Sequence, residues 1–153
     1  MRKELDEQLC TKYPLIFQHR YGNPTMTGMC WGFECRDGWY DLIDSLCQGI
    51  QSRINAQKHF IKFALEYNEN LPENSENFTA KPRDIPEEIE QVIALQVKEK
   101  YGTLRFYYAG GDEYIEGLVS MAEFMSAQIC DVCGNKGTLR DEGWWATRCD
   151  EHA

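Results

Sequence analysis

Two short cysteine motifs near the C-terminus carry the clearest chemistry in this sequence. Cys130-Asp131-Val132-Cys133 is a CxxC and Cys149-Asp150-Glu151-His152 is a CxxH, with fifteen residues between Cys133 and Cys149. Three thiols and an imidazole form a ligand set that zinc favours, and a two-residue gap lets a tight knuckle turn both its ligands toward one ion. Four protein ligands would saturate a tetrahedral centre. The expected role is therefore structural Zn2+, whose binding energy helps to fold the tail. Two other uses compete. CxxC alone can serve redox chemistry, yet no thioredoxin-like βαβ pattern surrounds it here. His152 is the penultimate residue, and if it frays, water takes its place and a catalytic metal becomes conceivable. Gly134 follows the first knuckle, where its amide can turn toward a thiolate. Residues 137–140 and 144–148 fit two short strands about an Asp141-Glu142-Gly143 turn, the hairpin of a zinc ribbon.

A second candidate is the run Lys98-Glu99-Lys100-Tyr101-Gly102-Thr103-Leu104-Arg105-Phe106-Tyr107. In a hairpin, Arg105 and Tyr107 share a face and Lys98 pairs across from them. Lys98, Lys100, Arg105 and Tyr107 could then bind a phosphorylated base, the ring stacking on the base and the cations meeting phosphate. Alternation alone also accounts for them as the polar outer face of a sheet.

Other clusters have plainer readings. Cys10, Cys30, Cys35 and Cys47 could form a second metal site, but their spacing is wider than a usual knuckle and free cysteine packs as a small apolar residue. The alternation through Cys30-Trp31-Gly32-Phe33-Glu34-Cys35 suits a short strand. Glu34, Asp37, Asp41 and Asp44 could be a carboxylate cluster for magnesium, although Asp37 reads as a helix cap and Asp41 and Asp44 as solvated helix surface. Gly110-Gly111-Asp112 before a helix resembles an anion site only weakly, since Asp112 repels anions. At least one of Trp144 and Trp145 should be exposed, because neighbours on a strand face opposite ways. No serine triad can be assembled around His19, His59 or His152.

These residues need elements to position them. Trp39, Ile43, Leu46, Ile50 and Ile54 recur at three- and four-residue spacing and predict a helix over 38–67, with a possible break at Asn55. Residues 13–29, with two prolines and two glycines, read as irregular. Residues 68–86 are polar, acidic and proline-flanked, and read as a mobile surface loop. Ile93, Leu95 and Val97 alternate with polar neighbours, Tyr101-Gly102 marks a turn, and residues 103–108 return as a second strand. Asp112 can cap a helix carrying Ile115, Leu118, Val119, Ala122, Met125 and Ile129 on one face. The fold class is thus α+β: a small antiparallel sheet or hairpin, two main helices, and a C-terminal zinc ribbon. Residues 1–129 form the domain and 130–153 an appendage packed on the same core.

The chain has 153 residues, 42% hydrophobic and 12% aromatic, enough for a real core. A net charge of −9 repels nucleic acid and suits a basic partner protein. No apolar run is long enough to span a membrane, and the charged N-terminus lacks a signal-peptide pattern, so the expected compartment is the cytoplasm. Seven cysteines, an odd number, argue against a fully paired disulfide framework.

At Cys30-Trp-Gly-Phe-Glu-Cys35, Asp37-Gly-Trp-Tyr40, Lys98 to Tyr108 and the terminal knuckles, the sequence resembles a group of small proteins encoded by tailed phages and prophages. The resemblance spans most of the chain outside 68–86. It implies an accessory protein of a bacterial host cytoplasm and transfers no catalytic residue. The leading expectation is a noncatalytic binding protein with a counter-defence or host-takeover role, which blocks a host protein or sequesters a phosphorylated nucleotide. Two alternatives stand beside it: a nucleic-acid-binding ribbon using Lys136, Arg140 and Arg148, and a metal-dependent hydrolase acting on a nucleotide.

Overall fold

The computed structural model describes every residue except Met26, Pro72, residues 74–78 and Glu142. The apolar stripe beginning at Trp39 folds into its longest element, α2 (Tyr40–Glu69), with Ile43, Leu46, Cys47, Ile50 and Ile54 buried. The helix does not break at Asn55. That side chain is held from one turn back, Gln51 Nε2 donating to Asn55 Oδ1 at 3.1 Å, so it does not compete for the backbone. Nor does Asp37 cap α2. A 3₁₀ turn over Asp37–Trp39 leads into the helix, and Asp37 Oδ1 accepts from the Arg2 amide at 2.7 Å.

Helix α1 (Lys3–Lys12) was not legible in advance, because only Asp6 and Leu9 of it are buried and so short a stripe shows no period. Helix α3 (Glu113–Ser126) begins as expected: Asp112 Oδ1 accepts from the Ile115 amide at 3.0 Å, while its other oxygen holds the Arg53 guanidinium at 2.9 Å. Among the described residues the two expected main helices, α2 and α3, are thus joined by the short α1.

The main sheet has the order β1-β2-β3, formed by Phe33–Glu34, Ile93–Lys100 and Thr103–Ala109. β2 and β3 are antiparallel with Val97 opposite Phe106 and Lys98 opposite Arg105, and β1 adds in parallel. At the hairpin turn Tyr101 and Gly102 take φ of 53° and 77°, the left-handed pair that matches strand twist. The strand expected across 30–35 shrinks to two residues, since Gly28–Trp31 forms a 3₁₀ turn. Val97, Leu104 and Phe106 join Ile43, Ile50 and Ile115 in one core. A second sheet pairs β4 (Thr138–Arg140) with β5 (Ala146–Arg148), the ribbon hairpin.

The irregular segment after α1 is pinned by charge. Arg20 Nε donates to both oxygens of buried Asp6, at 2.8 and 3.0 Å, and its Nη1 reaches the Cys30 carbonyl. Of the polar stretch 68–86, part lies outside the described residues. Its later part is tied to α2: Asn68 pairs with the backbone of Arg83, whose guanidinium lies 4.7 Å from the Phe63 ring and 4.8 Å from Tyr67. Among the described residues no helix is long and apolar enough to cross a membrane.

Candidate metal centre

The four residues of the terminal knuckles converge. One ligand atom from each of Cys130, Cys133, Cys149 and His152 lies within 4.8 Å of every other, and the cluster could hold a metal ion. Cys133 Sγ is 3.7 Å from Cys149 Sγ, and His152 Nδ1 is 3.1 Å from Cys149 Sγ and 3.8 Å from Cys130 Sγ. His152 does not hang free: residues Asp150–His152 form a 3₁₀ turn, and the Arg148 guanidinium donates to the His152 carbonyl. All the described cysteines are free thiols.

Backbone geometry prepares the first knuckle. Burial pushes the Cys130 thiol up, but the amides of Cys149, Cys133 and Val132 point at the sulfur and outweigh it, lowering its pKa to about 6. The Gly134 amide, expected to reach a thiolate, donates instead to the Cys130 carbonyl at 2.9 Å. At Cys133 the Asn135 amide pulls the thiol down, yet burial and the neighbouring sulfurs push harder, and the net direction is up. One thiolate is thus available near neutral pH, and a metal bound here would displace the protons of the other ligands.

What sets the knuckle against the core is glycine and tryptophan packing that the cysteine spacing does not reveal. The Gly38 amide donates to the Asp131 carbonyl at 2.9 Å, and a Cβ at Gly38 would stand 2.7 Å from Asp131 C and Gly134 N. Beside it, fully buried Trp39 donates Nε1–H to the Ile129 carbonyl at 2.9 Å. The hairpin turn closes the other side. Buried Thr147 donates its hydroxyl to the Gly102 carbonyl at 2.6 Å, and the Asp131 amide donates to the Thr147 carbonyl at 2.8 Å. The Asp131 carboxylate is buried with Arg36 and Arg148 at 3.5 and 3.6 Å, and burial raises its pKa against their pull. The Asp37-Gly38-Trp39 triplet was the one available signal of this support.

At the same junction the aromatic residues gather on the surface. Tyr101 is 65% exposed, Trp144 86% and Trp145 47%, and the Tyr101 and Trp145 rings meet edge to face at 6.3 Å. With Glu99, Lys100 and Gly143 they line a groove of about 730 Å³.

The four hairpin residues singled out for a ligand do share the outer face of the sheet. Lys98 Nζ sits 5.5 Å from the Tyr107 ring centre, and Lys100 turns to the Tyr101 ring at 5.4 Å. Arg105 Nη1 donates to Thr103 Oγ1 and the Leu104 carbonyl, both at 2.6 Å. On the ribbon, Arg140 is paired with Asp150 at 2.7 Å and Arg148 lies against Asp131, while Lys136 is exposed.

The other clusters disperse. Among the described residues the terminal Cys/His group is the one cluster of potential metal ligands, so Cys10, Cys30, Cys35 and Cys47 form no second site. Cys35 and Cys47 are buried in the core. Asp44 is not solvated helix surface, since it accepts from Lys12 Nζ at 2.7 Å and from the Tyr13 hydroxyl at 3.0 Å. Glu34 accepts from Gln96 Nε2 at 2.6 Å. Comparison of the chain with protein-family models, with curated proteins and with solved structures gives no match.

Proposed function

We propose that the Cys130, Cys133, Cys149 and His152 cluster binds one structural zinc ion, and that the ribbon so closed presents the Tyr101, Trp144 and Trp145 surface to a partner protein. A tetrahedral zinc with Zn–S bonds of about 2.3 Å requires sulfurs about 3.8 Å apart. The 3.7 Å between Cys133 and Cys149 agrees. Sulfur–nitrogen edges of such a centre are about 3.5 Å, and the 3.1 and 3.8 Å distances to His152 fall on either side. Four protein ligands leave no open position for substrate or water, which favours a structural over a catalytic role.

The observation that carries the binding reading is the aromatic groove. Three large rings stand in solvent, one on the two-residue turn of the main hairpin and two just before β5, where burial in a partner would release their apolar area from water. The net charge of −9 suits a partner with a basic rim. Given the resemblance to phage-encoded proteins, that partner is a bacterial host protein met in the cytoplasm.

A second reading, retention of a phosphorylated nucleotide on the outer sheet face, is favoured by the Lys98 ammonium over Tyr107 opposite Arg105. One experiment separates the two. Tagged protein is recovered from phage-infected cells, with metal analysis and mass spectrometry of co-purifying proteins and small molecules. One zinc per chain and a protein partner lost on Trp144→Ala/Trp145→Ala, with zinc retained, are the expected results. A nucleotide lost on Arg105→Ala would favour the second reading instead. Chains purified without stoichiometric metal would refute the zinc assignment, and capture unaffected by the tryptophan substitutions would refute the surface.

A further inference from the structure

The apolar stripe that buries α2 does not stop where the core stops. The helical face carrying Ile43, Ile50 and Ile54 continues through Ile61 and Leu65, while the helix runs on from Ile54 to Glu69, about 22 Å further at 1.5 Å per residue. Past Ile54, Ala64 is its one buried residue, and Leu65 is 44% exposed. A groove of about 400 Å³ follows this stripe, lined by Lys58, Ile61, Lys62, Leu65, Glu66 and Glu69 with Glu88 at its edge.

Along the α2 side of the groove charge is sorted by sign, with Lys58 and Lys62 toward the core and Glu66 and Glu69 at the far end. For an isolated helix this order is unfavourable. The C-terminal turn attracts cations, yet the last turn holds no basic residue. The Lys62–Glu66 pair, 3.8 Å apart and mostly exposed, also runs in the weaker of the two i,i+4 orientations. Lys58 reaches exposed Glu88 at 3.5 Å.

The same order is self-complementary between two antiparallel helices. We propose that this end of α2 pairs with α2 of a second copy of the chain about a two-fold axis, independently of the aromatic surface. Ile61 of one copy meets Leu65 of the other at the axis, Lys62 faces Glu66, and Lys58 faces Glu69. The midpoints of these three pairs agree to within about one residue, or roughly 1.5 Å of helix, so one axis satisfies them all. The contact is isologous, each residue pair occurring twice, and it closes at two copies. A patch this short lies below about 1,200 Å² of buried surface. Association is therefore concentration-dependent, with a Kd between about 1 µM and 1 mM.

Sedimentation equilibrium of the full metal-loaded chain across that range is the test. Wild-type protein dimerises, and rising salt weakens the dimer. Lys58→Glu/Lys62→Glu and Glu66→Lys/Glu69→Lys each raise Kd at least tenfold alone, and an equimolar mixture of the two regains association. Circular dichroism and metal content verify that each variant is folded, and the salt titration stands as a mutation-free check. Wild-type protein monomeric up to about 1 mM, association indifferent to salt, or a mixture that fails to associate would overturn the proposal.

Discussion

Replacing Gly38 with alanine tests whether the Cys130–Cys133 knuckle is seated by close backbone approach. The new Cβ would lie 2.7 Å from Asp131 C and from Gly134 N, both main-chain atoms that no rotamer change can move. Relief requires the knuckle to retreat, which strains the Gly38 amide bond to the Asp131 carbonyl and the Trp39 indole bond to the Ile129 carbonyl, each 2.9 Å. Overpacking costs about 1–3 kcal/mol, and weakening two hydrogen bonds adds about 1 kcal/mol. The sum, about 2–4 kcal/mol, corresponds to a fall in Tm of roughly 5–15 °C for a chain of this size. A control sits in α3. A Cβ at Gly117 meets nothing within 4 Å, so Gly117→Ala should stabilise by about 0.5–1 kcal/mol through helix propensity alone. Thermal unfolding of the metal-loaded proteins, with chelator competition for metal affinity, reads both. Gly38→Ala melting within about 1 °C of wild type, at unchanged metal affinity, would refute the reasoning.

Two further outcomes follow from buried groups. Burial, helped at Cys10 by the adjacent Asp6 carboxylate, pushes the Cys10 and Cys35 thiols from 9.0 up to about 12, and Cys47 is pushed well up by burial as well. At pH 8 the thiolate of Cys10 or Cys35 is then about a thousandfold scarcer than in the unfolded chain, and native alkylation timed by mass spectrometry should be slower in proportion. The sign for stability follows. These thiols hold their protons to higher pH in the folded state than in the unfolded, so their contribution is intact below the unfolded pKa and declines as pH rises toward 12. A flat urea midpoint between pH 8 and 10.5, on either side of the 9.0 at which an ordinary thiol ionises, would contradict this. Asp6→Asn leaves the half-buried Arg20 guanidinium without its counter-charge and should cost about 3 kcal/mol; a loss under about 1 kcal/mol in urea unfolding would show the pair to be incidental.

Where periodicity and local chemistry agree, the sequence alone determined the outcome. The stripe from Ile43 to Ile54, the Tyr101-Gly102 turn between alternating strands, the Asp112 cap and the two-residue gaps of the Cys/His motifs are each written in residues a few positions apart, so local spacing suffices to read them, whatever distant groups they later meet. Tertiary structure decided whatever depends on distant partners. Helix α1 exists because Asp6 and Leu9 find Arg20 and the core, not because its ten residues, mostly polar, show a period. Asp37 and Asp44, read as a cap and as solvated surface, are claimed by Arg2, Lys12 and Tyr13 from the N-terminal segment. The seat of the Cys/His cluster likewise joins residues about ninety positions apart, Gly38 and Trp39 against Ile129 and Asp131. A glycine is required there by a neighbouring backbone, and one strand of sequence carries no record of which backbone will arrive.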